Sequence, residues 1–379
     1  MKIRTITTGL ALKYGFNEKQ LVKAAEFNRK AARYFKERGY EVQTTRIATN
    51  PYGQYTEKMD RNEIISLFIL MNTICKENDV SFLGIGYSNN TEHVSLLKDI
   101  NLNSDIISAS SMITKGKSID YGKISATSRL IKEISVNEIN GNGNFRFAAI
   151  ANCPPGIPFF PSAYHEGETG FGIGLESADI LMKAFSLSSD LKEARVNFKN
   201  IYEGELKKIE AISSEIAEDN SIKYMGIDAS INPSLSENGS IAFAFEKLST
   251  GKFGSPMTLS IAAMVTSVIR EMDIKLCGYS GLMLPICEDI GLARRSDEKA
   301  FGINDILLFS SVCGCGLDTI PLSGNISEET LSAMLLDVAS LAIKLDKPLS
   351  ARLLPIPNLK EGDRTSFNSP YLVDCNIIK

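Results

Sequence analysis

The amino-acid sequence predicts an α/β fold in which parallel strands are joined by helical crossovers. In the first half of the chain, short β-branched or apolar runs alternate with segments whose apolar residues recur at helical spacing. The runs at 3–9, 41–48, 80–86, 105–111 and 145–151 have the pattern of strands. Parallel strands of this kind gather functional groups at their carboxyl ends, so the residues after each strand are the first place to look for a site.

The helices between these strands begin at recognisable capping residues. Asn17 and Gln20 resemble a capping box, and the apolar stripe that follows them continues to Gly39. Asp60 and Glu63 begin the next helix in the same way. Further helical patterns are present at 92–100 and 125–134, so the alternation of strand and helix continues to residue 151.

The second half begins with a proline-rich passage at 152–161. We interpret it as a long functional loop rather than a domain boundary, because a strand pattern resumes at 171–175 without a flexible linker. The sequence therefore predicts a single domain over residues 1–379. The later segments are predicted as helices at 177–218, 256–272, 303–309 and 331–345, and as strands at 225–230 and 350–354.

Composition excludes several classes of protein. A hydrophobic fraction of 44%, with 23% charged residues and a net charge of -4, is typical of a globular protein. The chain has no block of basic residues and no apolar run of about 20 residues, which argues against nucleic-acid and membrane partners. The first residues lack a signal peptide, and the seven cysteines are odd in number and scattered. We therefore expect a cytoplasmic protein with reduced thiols.

The densest chemistry lies between residues 278 and 322. Cys313 and Cys315 are separated by a single glycine, and either a reactive thiolate or two small core residues would fit this pattern. Cys313 is the main candidate for a catalytic thiol, and a nearby cation such as Arg352 would lower its pKa. Spacing of the C-x-C kind and only two histidines argue against a metal site.

Carboxylates accompany the thiols. Glu288 and Asp289 follow an apolar run, so Asp289 would cap the next helix while Glu288 faces a pocket. Burial would raise the pKa of Glu288 toward neutrality and suit it to acid-base catalysis, although a salt bridge to Arg294 or Arg295 is an equal alternative. Asp318 fits either a substrate-binding site or a turn.

Two further groups of polar residues follow predicted strands or loops. His165 stands in the proline- and glycine-rich loop, where an imidazole can titrate near neutral pH, and is our second catalytic candidate. Asp228 and Ser230 end a strand, and they would bind a substrate or start the turn that follows. No G-x-G-x-x-G run or P-loop is present, so a dinucleotide is not supported and any cofactor stays unknown.

Several ordered blocks of the sequence resemble a known family. They include Gly-Ile-Asp-Ala-Ser-Ile-Asn-Pro at 226–233, Gly-Leu-Met-Leu-Pro-Ile-Cys-Glu-Asp at 281–289 and Cys-Gly-Cys-Gly-Leu-Asp at 313–318. Shorter blocks at 3–10, 82–86, 163–166, 352–355 and 361–363 occur in the same order. Together they resemble domain of unknown function 711, also called uncharacterised protein family 0210.

The resemblance implies a ten-stranded α/β barrel of the pyruvate formate-lyase-like type, with a loop inserted in the barrel, and a homodimer. In radical enzymes of that fold the loop presents a cysteine, to which Cys313 would correspond. The chain lacks a radical-glycine motif near residue 379, which argues against radical chemistry.

We therefore expect an enzyme that acts on a small polar metabolite by non-radical thiol and acid-base chemistry. Cys313, Glu288 and His165 are the expected catalytic residues. Substrate binding is assigned to Asp228, Ser230, Asp318, Asp289 and Arg352. The alternatives are a non-catalytic, metabolite-binding or regulatory homodimer, and a metal-dependent lyase that uses Glu288, Asp289 and Asp318.

Overall fold

The computed structural model describes residues 1–138 and 141–378 and confirms the predicted α/β class. Its strands are β1 (Lys2–Leu10), β2 (Val42–Thr49), β3 (Phe82–Gly84), β4 (Ile107–Met112), β5 (Thr114–Lys115), β6 (Ser118–Ile119), β7 (Phe147–Ala151), β8 (Gly170–Glu176), β9 (Lys223–Asp228), β10 (Gly316–Ser323) and β11 (Leu349–Ile356). All except β5 and β6 belong to one sheet.

The strand order of this sheet is β10-β11-β7-β4-β3-β2-β1-β8-β9. Strands β1, β2, β3, β4 and β7 run parallel to one another. The pairs β8-β9 and β10-β11 are also parallel, and each joins the central strands through an antiparallel contact, β1 with β8 and β7 with β11. The sheet is therefore mostly parallel, and its chain direction changes at two places.

An extended segment at 276–285 contacts both edges of this sheet. Parallel bridges join Leu276 to Ile227 in β9, and Leu282 to Ile231 just after β9. A further parallel bridge joins Pro285 to Asp318 in β10. Edge strands expose unpaired backbone groups, and this segment satisfies some of them at each edge.

Thirteen helices surround the strands in the described ranges. They are α1 (Glu18–Glu37), α2 (Tyr52–Thr56), α3 (Arg61–Glu77), α4 (Leu96–Leu102), α5 (Tyr121–Asn137), α6 (Asn142–Phe145), α7 (Ala178–Ser186), α8 (Leu191–Asn220), α9 (Ile241–Phe245), α10 (Thr258–Arg270), α11 (Ile290–Asp297), α12 (Ile303–Ser310) and α13 (Glu328–Leu345). Short 3₁₀ helices lie at 91–95, 237–239 and 286–288. Among the residues described, no helix combines the length and the apolar character needed to cross a bilayer.

The predicted elements agree with the structure where local signals were strong. The capping box of Asp60 and Glu63 begins α3 as expected. Two elements differ. The helical region predicted at 177–218 divides into α7 and α8, because Asp190 caps a new helix. No strand was predicted directly after Cys315, but from Gly316 the chain forms β10 beside β11.

The central sheet is buried on both faces. On β7, the side chains of Phe147, Ala149 and Ala151 belong to the main apolar core that includes the helices. The alternate residues Ala148 and Ile150 belong to a second, smaller apolar cluster. Side chains of a strand alternate between faces, so the second cluster lies on the opposite side of the sheet from the main core.

The proline-rich loop after β7 covers that second face. Its residues 157–165 pass close to the backbone of β8 and β3. A Cβ atom on Gly174 would lie 2.8 Å from the ring of Phe159, and one on Gly84 would lie 2.9 Å from the carbonyl oxygen of Ala163. Glycine at these strand positions therefore allows the loop to approach the sheet.

Candidate active site

A small cavity lies against this second face, where the loop, β1, β2, β10 and β11 meet. Its volume is about 40 Å³, room for about three water molecules. Its lining residues come from segments that are remote in sequence. They are Arg4, Arg46, Phe159, Phe160, Pro161, Ser162, Asn232, Tyr279, Met283, Glu288, Cys315, Asp318, Ser350 and Arg352.

Glu288 is held at both carboxylate oxygens by arginines from different strands. Arg4 in β1 donates from Nη2 to Oε2 over 2.9 Å, and Arg352 in β11 donates from Nη2 to Oε1 over 2.5 Å. Arg4 also pairs with Glu176 at the end of β8 over 3.2 Å. Since both oxygens are occupied, Glu288 fixes two guanidinium groups in the wall of the cavity.

Asp318 is the second carboxylate of the wall. Arg352 donates from Nε to Oδ1 of Asp318 over 2.5 Å. Within the described part of the chain, no group donates to Oδ2. Burial alone would lower the pKa of Arg352, but Asp318 and Glu288 together raise it above its ordinary value. Arg352 therefore stays charged and orients Asp318.

Arg46 differs from the other two arginines. Its side chain is 4% exposed, and Nε donates to Thr44 Oγ1 over 3.1 Å. No carboxylate among residues 1–138 and 141–378 forms an ion pair with it. The guanidinium instead lies 4.7 Å from the ring centre of Phe160 and 5.3 Å from that of Phe82. Burial, reinforced by the charge of Arg4, lowers the pKa of Arg46 to about 9, so it is still a cation at neutral pH.

The two neighbouring thiols occupy different environments. Cys313 continues the end of α12, where its N–H donates to the carbonyl of Phe309, and its side chain belongs to the main apolar core. Cys315 pairs with β11 and lines the cavity. Burial raises the pKa of both thiols, and Asp318 raises that of Cys315 further. The structure thus places Cys315, rather than Cys313, at the cavity, as a protonated thiol.

Tyr279 joins the cavity to the covering loop. Its hydroxyl donates to Ser162 Oγ over 2.8 Å and lies 3.5 Å from Cys153 Sγ. Burial raises the pKa of Tyr279 well above its ordinary value, so the hydroxyl stays protonated.

Asp228 and Ser230 position Tyr279 instead of lining the cavity. Asp228 accepts from the backbone N–H groups of Tyr279 and Ser280, over 2.8 and 3.0 Å, and from the hydroxyl of Ser230 over 2.5 Å. Burial raises the pKa of Asp228, although these hydrogen bonds oppose the rise. Both residues therefore stabilise the turn at 278–281, and neither is among the residues that line the cavity.

Replacing Gly278 with alanine should destabilise this turn strongly. Gly278 has φ +63°, and a Cβ atom would overlap the carboxylate of Asp228. We expect the free energy of unfolding to fall by about 2–4 kcal/mol, because backbone strain and the clash add. Gly15→Ala is the matched control, since Gly15 has φ +82° with nothing within 4 Å. If urea titrations show the same loss in the free energy of unfolding for both variants, the assigned role of Asp228 is contradicted.

Asp289 lies away from the cavity at the start of two helices. It accepts from Gly291 N over 2.8 Å in α11, and from Ser240 Oγ and Ile241 N over 2.5 and 2.6 Å at the start of α9. The capping role expected for Asp289 is thus present, and its carboxylate does not join those of Glu288 and Asp318. In the part of the chain that the structure describes, no group of three or more His, Cys, Asp or Glu side chains is arranged to hold a metal ion.

His165 is also outside the cavity lining. Its ring packs against Gly9 in β1, and Nε2 lies 2.8 Å from the carbonyl oxygen of Glu168. Nδ1 is buried without a hydrogen-bond partner among the described residues. Burial lowers the pKa of His165, so the imidazole is neutral at physiological pH. The predicted catalytic histidine is therefore not brought together with Glu288.

The structure adds residues that sequence reasoning did not select. Arg4 and Arg46 stand in strands whose neighbouring residues are apolar or β-branched. A charged residue inside such a strand requires a partner or a ligand, which was the available signal. Of the residues expected in the site, Glu288, Asp318 and Arg352 do meet in one wall.

The fold and the cavity define a mixed α/β protein with a buried network of ionised side chains beneath a long loop. A family model described as Uncharacterised ACR (DUF711) matches residues 1–368. The chain belongs to this family, which confirms the family predicted from the sequence blocks.

Curated relatives carry the name UPF0210 protein. The protein of Caldicellulosiruptor saccharolyticus is 25% identical over 406 residues, covering 97% of this chain and 88% of the relative. That of Oenococcus oeni is 23% identical over 400 residues, covering 96% and 88%. That of Pyrobaculum aerophilum is 30% identical over 246 residues, covering 60% of this chain and 52% of the relative. The match thus spans about half the length of the Pyrobaculum protein.

Proposed function

We propose that this protein is an enzyme that moves a proton on a small polar metabolite bound in the cavity. The observation that carries the proposal is the wall formed by Asp318, Arg352 and Cys315. It combines a carboxylate that has one oxygen with no donor among the described residues and a thiol that burial keeps protonated. Such a pair supplies a proton acceptor and a hydrogen-bond donor in one cavity.

Asp318 is the proton acceptor in this proposal. Arg352 holds Oδ1, and Oδ2, which has no donor among the described residues, would accept the proton. Glu288 holds Arg352 and Arg4, and its role is to position both guanidinium groups. This arrangement restricts the motion of the acceptor, and a fixed geometry is a main source of catalytic rate.

Cys315 is the hydrogen-bond donor. It lines the cavity, and burial raises its pKa well above the ordinary range. It would act as a neutral hydrogen-bond donor to an oxygen that gains charge in the reaction, beside Tyr279, whose hydroxyl donates to Ser162. The chemistry is therefore a two-electron, acid-base process, in which Cys315 takes the place that the sequence suggested for Cys313.

We further propose that the segment at 276–285 is a tenth strand that closes the sheet into a barrel. Support comes from backbone hydrogen bonds of the parallel type at its first edge, from Ile231 N to Gly281 O over 2.8 Å and from Met283 N to Ile231 O over 3.1 Å. At its second edge, Gly314 N donates to Leu282 O over 2.8 Å. In a barrel of this type, the loop at 157–165 would be the inserted loop, and the fold would be similar to the pyruvate formate-lyase-like type.

Hydrogen exchange tests the closure. We expect the amides of Ile231 and Met283 at the first edge, and that of Gly314 at the second edge, to exchange as slowly as amides inside β9, because each takes part in a backbone hydrogen bond between the segment and a neighbouring strand or loop. The measurement is exchange followed by NMR or by mass spectrometry of peptides. Exchange as fast as that of an exposed loop would contradict the tenth strand.

Proton transfer can be tested before the complete reaction is known. The protein is incubated in D₂O with a pool of small metabolites, and deuterium incorporation at carbon is followed by NMR. We expect incorporation into at least one compound, and a loss of at least about 100-fold with Asp318→Asn, which removes the acceptor. Asp105→Asn is the control, since Asp105 is an exposed carboxylate paired with Lys76.

The outcomes separate an enzyme from a binding protein. Exchange that persists in Asp318→Asn would contradict the role of Asp318. A compound that raises the melting temperature, but neither exchanges nor reacts, would favour the non-catalytic alternative.

Two expectations remain predictions. The cytoplasmic location is supported by the seven cysteines, which are all unbonded, including Cys287 and Cys375 with sulfur atoms 3.7 Å apart. The homodimer rests on the family resemblance, and sedimentation of the purified protein would check it.

A further inference from the structure

We propose that the ligand of this cavity is a carboxylate monoanion with about two or three carbon atoms, and that Arg46 binds its carboxylate. The inference deepens the proposed function and rests on it for the use of the cavity, but it concerns binding alone. It therefore holds or fails by a different measurement from proton transfer.

The first argument is the pairing of charges. Three arginines and two carboxylates line the cavity. Arg4 and Arg352 are both engaged by Glu288, whereas Arg46 forms no ion pair with any described residue. Burying a cation without an ion pair costs free energy. An anion that enters the cavity should therefore bind more favourably beside Arg46 than beside the other two arginines.

The balance of charge in the lining points to a single negative charge. The lining residues include three arginines and two carboxylates, an excess of one positive charge. Glu176 lies outside the lining and pairs with Arg4, so the excess within the lining is local to Arg46. A monoanion offsets this one charge, while a dianion would leave one negative charge without an opposite charge in the lining.

Size and shape supply the third argument. A volume of about 40 Å³ excludes nucleotides and sugars, whose pockets are several hundred Å³. The planar guanidinium fork of arginine matches the two oxygens of a carboxylate. The rings of Phe82 and Phe160 lie near the guanidinium and limit the directions from which a ligand reaches it.

The test is a titration of the whole protein with acetate and glycolate, followed by calorimetry or by the melting temperature. Acetamide is the uncharged probe of the same shape, and inorganic phosphate is the tetrahedral, more highly charged anion. We expect saturable binding of acetate or glycolate and none of acetamide or phosphate. Arg46→Met should weaken binding at least about 10-fold, the worth of a charge-assisted hydrogen bond. Arg195→Met, which removes an exposed arginine paired with Glu271, should leave it unchanged.

The pH dependence gives a second readout. The charged or titratable groups around Arg46 are Arg4, Glu288, Arg352 and Tyr371. Acetate is ionised throughout the range from pH 6 to 10. Its affinity should therefore be constant up to about pH 8 and fall as the pH rises through about 9, where Arg46 loses its proton.

Equal binding of acetate and acetamide, or equal acetate affinity in wild type and Arg46→Met, would overturn the inference. If Arg46→Met does not fold, the comparison of acetate with acetamide on the wild-type protein decides. Acetate binding without deuterium exchange in any carboxylate would retain this inference and contradict the proposed enzyme. Deuterium exchange in an uncharged compound, if acetate does not inhibit it, would retain the proposed enzyme and contradict this inference.

Discussion

Replacing Arg352 with methionine should lower the free energy of unfolding by about 3–5 kcal/mol, the largest stability loss we expect from one substitution in the cavity. Arg352 bonds both Glu288 and Asp318, each over 2.5 Å, and its side chain is 8% exposed. Its removal leaves Asp318 without its ion pair and Glu288 with Arg4 alone. Asp318 would then be a buried carboxylate without an ion pair.

Urea or guanidinium unfolding measures this loss, and two variants serve as controls. Arg195→Met breaks the exposed pair with Glu271 and should cost no more than about 1 kcal/mol. Arg352→Lys keeps the charge but not the fork that reaches two acids, so an intermediate loss is expected. A loss as small as that of Arg195→Met would mean that the ionic wall does not exist as described.

Replacing Arg46 with methionine should stabilise the protein, in contrast to the replacement of Arg352. In the ligand-free protein, we expect the free energy of unfolding to rise by about 1–3 kcal/mol, because a buried cation without an ion pair is replaced by an apolar side chain of similar length. The contacts with Phe82 and Phe160 oppose this gain by about 1–2 kcal/mol at most. Desolvation of the charge costs several kcal/mol and should outweigh them.

The pH dependence of stability gives a second test of the Arg46→Met variant. The pKa of Arg46 is about 9 in the folded protein, well below its value in the unfolded chain. Between these values the unfolded chain binds more protons, so the contribution of Arg46 to stability rises with pH above about 9. The advantage of Arg46→Met over wild type should therefore shrink from pH 8 to pH 10. A constant loss of stability in Arg46→Met at both pH values would show that Arg46 has a partner inside the protein.

Much of the fold follows from short-range signals. The cap of α3 by Asp60 and the apolar period of α13 are properties of a few neighbouring residues, and both are visible in the sequence. Strand β10 was hidden because Cys-Gly-Cys-Gly has the composition of a turn. Its strand conformation depends on β11, which lies about 30 residues later, and no local pattern reports such a pairing.

The candidate site could be predicted in part. Glu288, Asp318 and Arg352 stood out as charged residues among apolar neighbours, and the structure places them in one wall. Only Gly314 separates Cys313 from Cys315 along the chain, but Cys313 continues the end of a helix and Cys315 joins the sheet. That difference depends on where α12 stops, which the sequence leaves open.

Long-range contacts decide the roles of the remaining candidates. Asp228 looked like a ligand at a strand end, but it accepts backbone hydrogen bonds from residues about 50 positions later. Arg46 is the opposite case, because it lines the cavity although the residues near it in sequence did not single it out. Its environment appears only when β1, β2 and the loop at 157–165 are assembled.

A crystal structure of the wild-type protein grown with acetate tests the central claim most directly. The account predicts acetate inside the cavity, with a carboxylate oxygen about 3 Å from a guanidinium nitrogen of Arg46 and with Arg352 still bound to Asp318 and Glu288. A cavity that contains only water while acetate saturates the crystal, or Arg46 paired with a carboxylate of the protein, would contradict it.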